Sequence, residues 1–377
     1  MGLTSWALVV ALGVLELAVV AAVLVGWDRW PRPLRWPARV GFLLLSMVLA
    51  VTLTADVFNR NYGFYSSWAD LFNSPIDVRL SAAATERHQQ LPVADADAGR
   101  AAAERGHGSV LAWTFPGPKS GITRPGLVYL PAAYFTNRSL RFPVLELFHG
   151  YSGSPGNWTH ALSIAALLDT EISAGRLPPV IAVIPKTYQG NDGECANAVQ
   201  GQRNETYLAV DVPTVTARAF RTATAPDSWA TMGFSTGGFC AVNLALHHPS
   251  TYRAAVSLSG YFTAETDRST GNLYHGQTAV IEHNSPRWWV RHRPVRSSLY
   301  VFASGGDHDA WREAQRFRRA VPATVDLTTV TVQVGGHNAT VWRAALPPAL
   351  DWLGQRLPAP SAPPLVQRGA VSHPATN

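Results

Sequence analysis

The stretch SWATMGFSTGGFCAVNLALHHP, residues 228–249, places Ser235 inside the pattern G-x-S-x-G. An apolar, β-type run to Met232 enters Gly233-Phe234-Ser235-Thr236-Gly237 and leaves as a helical pattern ending near His248-Pro249. Strand, sharp turn and helix are the context in which this pattern presents a nucleophile. Glycines at 233 and 237 allow the turn and the helix to approach closely, and the strained turn lifts the serine hydroxyl above the sheet. The helix N-terminus then offers amide N–H groups to developing negative charge. The chemistry implied is attack of a serine on an acyl carbon.

Such a serine is a poor nucleophile until a base takes its proton. With this kind of turn the partners follow in the order carboxylate, then histidine. VTVQVGGHNATVW reads as a strand, a glycine turn and His337. Upstream, LYVFASGGDHDAWREAQRF supplies a strand, a glycine turn and two carboxylates, Asp307 and Asp309. Either orients an imidazole and stabilises the imidazolium; Asp307, next to the turn, is the expected acid. Two amide donors are needed for the tetrahedral oxygen. One is expected from Thr236, and the other from Tyr151 in the loop of FPVLELFHGYSGSPGNW. His247 and His248, at the end of the nucleophile helix, suit its C-terminal dipole and are read as structural. Metal-ligand spacing of the H-E-x-x-H type is missing, so no metal is expected, and the glycine-rich loop that holds Tyr151 lacks the phosphate-cradling patterns G-x-x-x-x-G-K-[ST] and G-x-G-x-x-G.

These residues need a scaffold. Strands are expected at Ser109 to Phe115, Gly126 to Leu130, Val144 to His149, Val180 to Pro185, Trp229 to Phe234, Ala254 to Ser259, Leu299 to Ala303 and Thr329 to Val334. Runs such as VLELF, VIAVI and LYVFA suit strands covered on both faces. Alternation with helical stretches predicts a mostly parallel sheet in a three-layer α/β sandwich over residues 108–355.

Across 377 residues, 47% are hydrophobic and 15% charged. That excludes a disordered chain and, against about 25% charge in soluble domains, points to a part that lives in lipid. The net charge of +6 comes from scattered arginines, with no basic stripe for nucleic acid. From Ser5 to Gly26 the only charge is Glu16, and the run is long enough for a hydrocarbon core of about 30 Å. A second run covers Val40 to Val57. The joining WDRWPRPLRWPAR holds Arg29, Arg32, Arg35 and Arg39 among Trp27, Trp30 and Trp36. Arginines favour the cytoplasmic side and tryptophans the interface, so residues 1–57 read as a transmembrane hairpin with everything downstream outside. A cleaved signal peptide is the alternative, but residues 1–4 lack the basic n-region. Glu16 is expected to face the second helix, bonded to a neighbour such as Ser46. Residues 58–107 read as a juxtamembrane collar and linker, and 356–377 as a disordered Pro-rich tail.

Together F-H-G-Y, G-F-S-T-G-G, A-S-G-G-D and G-G-H-N resemble the α/β-hydrolase superfamily. Within it they are similar to the putative-esterase branch containing esterase D, feruloyl esterases and the secreted mycolyltransferases. The resemblance implies a triad of Ser235, Asp307 and His337, an oxyanion hole from Tyr151 and Thr236, and acyl transfer to water or a sugar hydroxyl without a cofactor. Mycolyltransferases use a glutamate and a cleaved signal; the hairpin and aspartates here look more like membrane-anchored actinobacterial esterases.

In that fold Cys195 and Cys240 fall on neighbouring segments, where an oxidising compartment permits a bridge; two separate thiols are the alternative. The sequons at Asn137, Asn157, Asn204 and Asn338 are read as chance. Trp288 and Trp289, in PRWWVRHRPVR, are candidates for substrate contact, a bilayer anchor or packing, and Trp158 and Trp342 for lining the pocket. The expectation is a membrane-anchored serine esterase or acyltransferase acting on an ester of the cell envelope or a lipid-like substrate. The alternative is a catalytically silent hydrolase domain serving as a membrane-tethered binding module.

Overall fold

A computed structural model describes residue 2, residues 5–62, residue 68, and residues 93–225, 227–333 and 335–362. The strand positions anticipated from the apolar runs are all occupied. They are β1 (Ser109–Pro116), β2 (Thr123–Leu130), β3 (Val144–Phe148), β4 (Ile181–Pro185), β5 (Trp229–Phe234), β6 (Ala254–Leu258), β7 (Ser298–Ser304) and β8 (Leu327–Val332). They form one sheet in the order β1-β2-β4-β3-β5-β6-β7-β8. β1 and β2 pair antiparallel, as do β2 and β4, and the pairings from β4 through β8 are parallel.

Central strands are buried on both faces, and their side chains alternate between two cores. In β3, Val144 and Phe148 join one core, which takes in α5 (Val212–Ala219), α6 (Thr236–His247) and α8 (His308–Ala320). Leu145 and Leu147 join the other, with α4 (Ile164–Ser173) and α9 (Ala339–Gly354). Helix, sheet and helix make the three-layer α/β-hydrolase sandwich.

Register decides where the chemistry can lie. Phe148 is level with Gly233, Phe234 with Leu258, and Ser304 with Val332. The loops leaving β3, β5, β7 and β8 therefore emerge at one carboxyl edge, where open α/β sheets bind ligands.

The N-terminal hairpin consists of α1 (Trp6–Gly26) and α2 (Arg35–Tyr62), both long and apolar enough to cross a membrane by length and composition. Ser46 donates to Glu16 across the pair at 2.6 Å, as anticipated. Arg39 closes the connecting loop, donating to the Trp27 carbonyl, pairing with Asp28 at 2.8 Å and lying 4.4 Å over the Trp27 ring. α2 begins five residues earlier than the expected span, because the arginines of RWPAR continue the helix instead of forming loop.

Two expectations need correction. The stretch read as linker holds α3 (Val93–Ala103), whose Gly99 lies against the Phe135 ring; residues 63–67 and 69–92 of the collar and linker lie outside the described residues. Packing also continues past residue 355. Leu357 is buried, Arg356 pairs with Asp326 at 3.0 Å, and Ser361 bridges Arg141. Residues 363–377 of the expected tail lie outside the described residues.

One carboxyl sits inside a core. Glu146 in β3 is fully buried; burial pushes it up to about 8, although the Tyr252 hydroxyl donates to it at 2.8 Å. Between its ordinary 4.5 and about 8 the folded chain keeps a proton that the unfolded chain releases. Rising pH across that window therefore favours unfolding. Glu146→Gln removes this contribution, so the fall in the thermal midpoint of detergent-solubilised protein between pH 5 and pH 8 shrinks by at least about 2 °C. An undiminished fall in the variant contradicts the assignment.

Candidate active site

Ser235 directly follows β5 and adopts φ 56°, ψ −129°. An ordinary side-chain residue is strained there, and such strain persists only where surroundings enforce it. The enforcement is steric: a Cβ on Gly233 would stand 1.9 Å from the Gly237 carbonyl oxygen, and one on Gly237 2.1 Å from that of Phe148. Both contacts are impossible for any residue but glycine, so β5, α6 and the end of β3 interlock at the turn.

The acid and base turns are pressed together in the same way. A Cβ on Gly306 would lie 2.4 Å from the Gly335 carbonyl oxygen, and Ser304 donates to that same oxygen at 2.6 Å. Asp307 then caps α8, accepting from the Ala310 amide at 3.3 Å, while Asn338 caps α9, accepting from Val341 at 3.2 Å. His337 stands between these two anchored turns.

The three side chains meet. His337 Nε2 lies 2.8 Å from Ser235 Oγ, and His337 Nδ1 lies 2.6 Å from Asp307 Oδ2. With the proton on Nδ1 donated to Asp307, Nε2 is free to accept from the serine hydroxyl. Burial alone raises the Asp307 carboxyl, but His337, the Ala310 amide and the Ser259 hydroxyl outweigh it and hold it below the ordinary carboxylate value. Asp309 is not part of the group. Its side chain is 90% exposed and pairs with Arg312, whereas Asp307 is 8% exposed.

Peptide geometry aims the two amides. The Ser235 carbonyl is drawn into the first turn of α6, accepting from Gly238 at 2.8 Å and Phe239 at 3.2 Å. N–H and C=O of a trans peptide point in opposite directions, so the Thr236 N–H points out of the helix end. The Gly150 carbonyl likewise accepts from the Gly153 amide at 2.8 Å and from His149 Nδ1 at 3.0 Å, which turns the Tyr151 N–H the other way. A Cβ on Gly150 would lie 3.0 Å from the Ser235 Cβ, so this loop rests on the nucleophile.

His149 acquires a role that its place in F-H-G-Y did not specify. Burial pulls its imidazole down to about 4, so it is neutral near pH 7. Its Nε2 accepts from the Thr187 amide at 3.2 Å, which leaves the proton on Nδ1 for Gly150. Buried Arg124 holds the Thr187 carbonyl at 2.7 Å.

The tryptophans divide. Trp342 stacks on Phe234 at 4.6 Å and presents itself edge-on to His337 at 4.9 Å. Trp158, fully buried, packs on Phe234 at 5.2 Å and lies beneath the site instead of lining an open pocket. In α7 (Pro286–His292), Trp289 packs against His247 and His283, at the end of α6 remote from Ser235, and Trp288 stacks on His292. Neither sits at the nucleophile. His247 and His248 both bond Glu205, at 3.1 and 2.9 Å, which makes them structural. Asn157 and Asn204 are buried and internally bonded, so as sequons they are inert.

The chain belongs to the family whose model is described as "Putative esterase", which matches residues 120–353. An uncharacterized protein of Corynebacterium glutamicum is 27% identical over 330 residues, covering 82% of this chain and 74% of that protein. The fold is similar to that of a ferulic acid esterase, with a TM-score of 0.56 and 21% identity over 66% of this chain and 98% of that one. It is also similar to an S-formylglutathione hydrolase from Agrobacterium tumefaciens, with a TM-score of 0.57 and 15% identity over 67% and 96% of the two chains.

The geometry separates the two aspartates sharply. Asp307→Asn lowers kcat for a p-nitrophenyl ester by on the order of 10³ to 10⁴, as loss of the orienting carboxylate does in serine hydrolases. Asp309→Asn leaves it within about twofold, since exposed ion pairs contribute little. Equal losses in the two variants overturn the assignment.

Proposed function

We propose that the protein is a membrane-anchored serine ester hydrolase or acyltransferase whose catalytic domain lies outside the cytoplasm. The observation that carries the reading is the unbroken hydrogen-bonded series from Ser235 through His337 to Asp307, at 2.8 and 2.6 Å, on a strained turn.

The steps follow from the geometry. His337 Nε2 takes the hydroxyl proton as Ser235 Oγ attacks the acyl carbon, and the carbonyl oxygen becomes an oxyanion held by the Thr236 and Tyr151 amides. Collapse of that intermediate breaks the bond to the alcohol, which leaves with the proton from His337. Asp307 stabilises the transient imidazolium without taking its proton. The resulting acyl-Ser235 ester is then attacked by water or by a second alcohol, again deprotonated by His337. Serine and imidazole return to their starting states.

Three features support the location. α1 and α2 are of spanning length, the arginine-rich loop between them fits the cytoplasmic side, and Cys195 and Cys240 form a disulfide of the sort retained in oxidising compartments. Substrates anchored in or near the envelope, lipid-like esters among them, suit a tethered enzyme.

A fluorophosphonate probe labels the wild-type protein, and Ser235→Ala abolishes labelling. Lack of labelling in the wild type, or persistence in the variant, overturns the mechanism. Partition of the acyl group is read by supplying a p-nitrophenyl ester with glycerol or trehalose. Acyl-sugar or acyl-glycerol product identifies transfer, and free acid alone identifies hydrolysis.

A further inference from the structure

The loop between β4 and residue 204 carries NDGECAN, with the two carboxylates Asp192 and Glu194. Both are buried beside the helix that follows Ser235. Asp192 is 4% exposed and Glu194 1%. Asp192 Oδ2 accepts from the Thr236 hydroxyl at 2.9 Å, and its Oδ1 accepts from the Glu194 amide at 2.9 Å. Thr236 is the residue whose backbone N–H faces the developing oxyanion.

The loop is itself immobilised from two sides. Glu194 accepts from the hydroxyls of Tyr261 at 2.7 Å and of Tyr274, and from the Glu265 amide at 3.0 Å. The Asp192 amide donates to the Ser269 carbonyl at 2.8 Å. Cys195 is then joined covalently to Cys240, about one turn along α6 from Thr236. Hydrogen bond and disulfide clamp the same loop to the same helix at two points.

We propose that Asp192 is a positioning residue for ester cleavage: through the Thr236 hydroxyl it fixes the first residue of α6, and thereby the direction of the oxyanion-binding amide. The inference rests on the serine-hydrolase reading above. Buried carboxylates left without partners are strongly disfavoured, so the Asp192 to Thr236 bond is enforced by the loop around it. The bond fixes the Thr236 side chain, which restricts the backbone torsions that set the N–H direction. A donor misdirected by a small angle loses most of its benefit to an oxyanion formed only in the transition state. Loss of the clamp therefore reduces turnover, not ground-state binding.

A double-mutant cycle on the full-length protein tests this, with a p-nitrophenyl ester as substrate. Thr236→Val is isosteric and keeps the amide, and Asp192→Ala removes the acceptor. Each lowers kcat about tenfold with KM within about threefold, the loss expected of one well-made hydrogen bond acting in the transition state. If the two act through one bond, the double variant also loses about tenfold. Unchanged kcat in Thr236→Val, a loss confined to KM, or a hundredfold loss in the double variant each overturns the proposal. Thr236→Val carries the test by itself if Asp192→Ala does not fold. Inactivity of the wild-type protein toward ester and fluorophosphonate alike overturns the underlying reading instead, so the two failures are distinguishable.

Discussion

Everything at the carboxyl edge of the sheet depends on one local constraint, the positive φ that Ser235 is made to adopt between β5 and α6. The chain cannot relax this turn without moving Gly233 and Gly237 away from contacts that leave no room for a Cβ. The consequence is double. The hydroxyl is raised toward His337, and the Ser235 carbonyl is turned into the helix so that the next amide points outward. The Ser235 hydroxyl and the Thr236 amide are thus set by the same few torsion angles, the coupling that the proposed attack on an acyl carbon requires.

Around that turn the protein uses buried polar groups as fixtures. His149 is kept neutral by burial, and the Thr187 amide donating to its Nε2 sets the tautomer that orients Gly150 and with it Tyr151. Asp192 and Glu194 secure the opposite side, while the paired glycines of the acid and base turns hold Asp307 and His337 in register. A buried polar network of this kind stabilises a single arrangement only when its members are bonded to one another. Tyrosine, threonine and backbone partners supply those bonds. Trp342 completes the enclosure by bracing the imidazole edge-on and linking it to Phe234, the residue that precedes Ser235.

Much of this was legible before the structure. Doubly buried strands announce themselves as continuous apolar runs, and G-F-S-T-G, A-S-G-G-D and G-G-H-N fall at strand ends, so the positions of Ser235, Asp307 and His337 followed from pattern and order. Asp307 over Asp309 was favoured by its adjacency to the glycine turn, and capping of α8 by Asp307 is the physical reason. Less visible were features without period. The Ala-rich segment of α3 lacks a clear apolar stripe, although alanine favours helix. Acidic loop residues such as Asp192 and Glu194 look solvated unless their tyrosine and threonine partners, distant in sequence, are known to converge. The Trp288-Trp289 pair offered no means of telling which end of α6 it would meet, and it meets the far one.

The proposed reaction requires the amides of Thr236 and Tyr151 and the hydroxyl of Ser235 to converge on a single reacting centre. A crystal structure of the protein inactivated by a phosphonate ester tests this most directly. The expected result is phosphorus bonded to Ser235 Oγ, with its phosphoryl oxygen about 2.7 to 3.1 Å from both amide nitrogens. A phosphoryl oxygen turned toward solvent, or held by other groups, contradicts it.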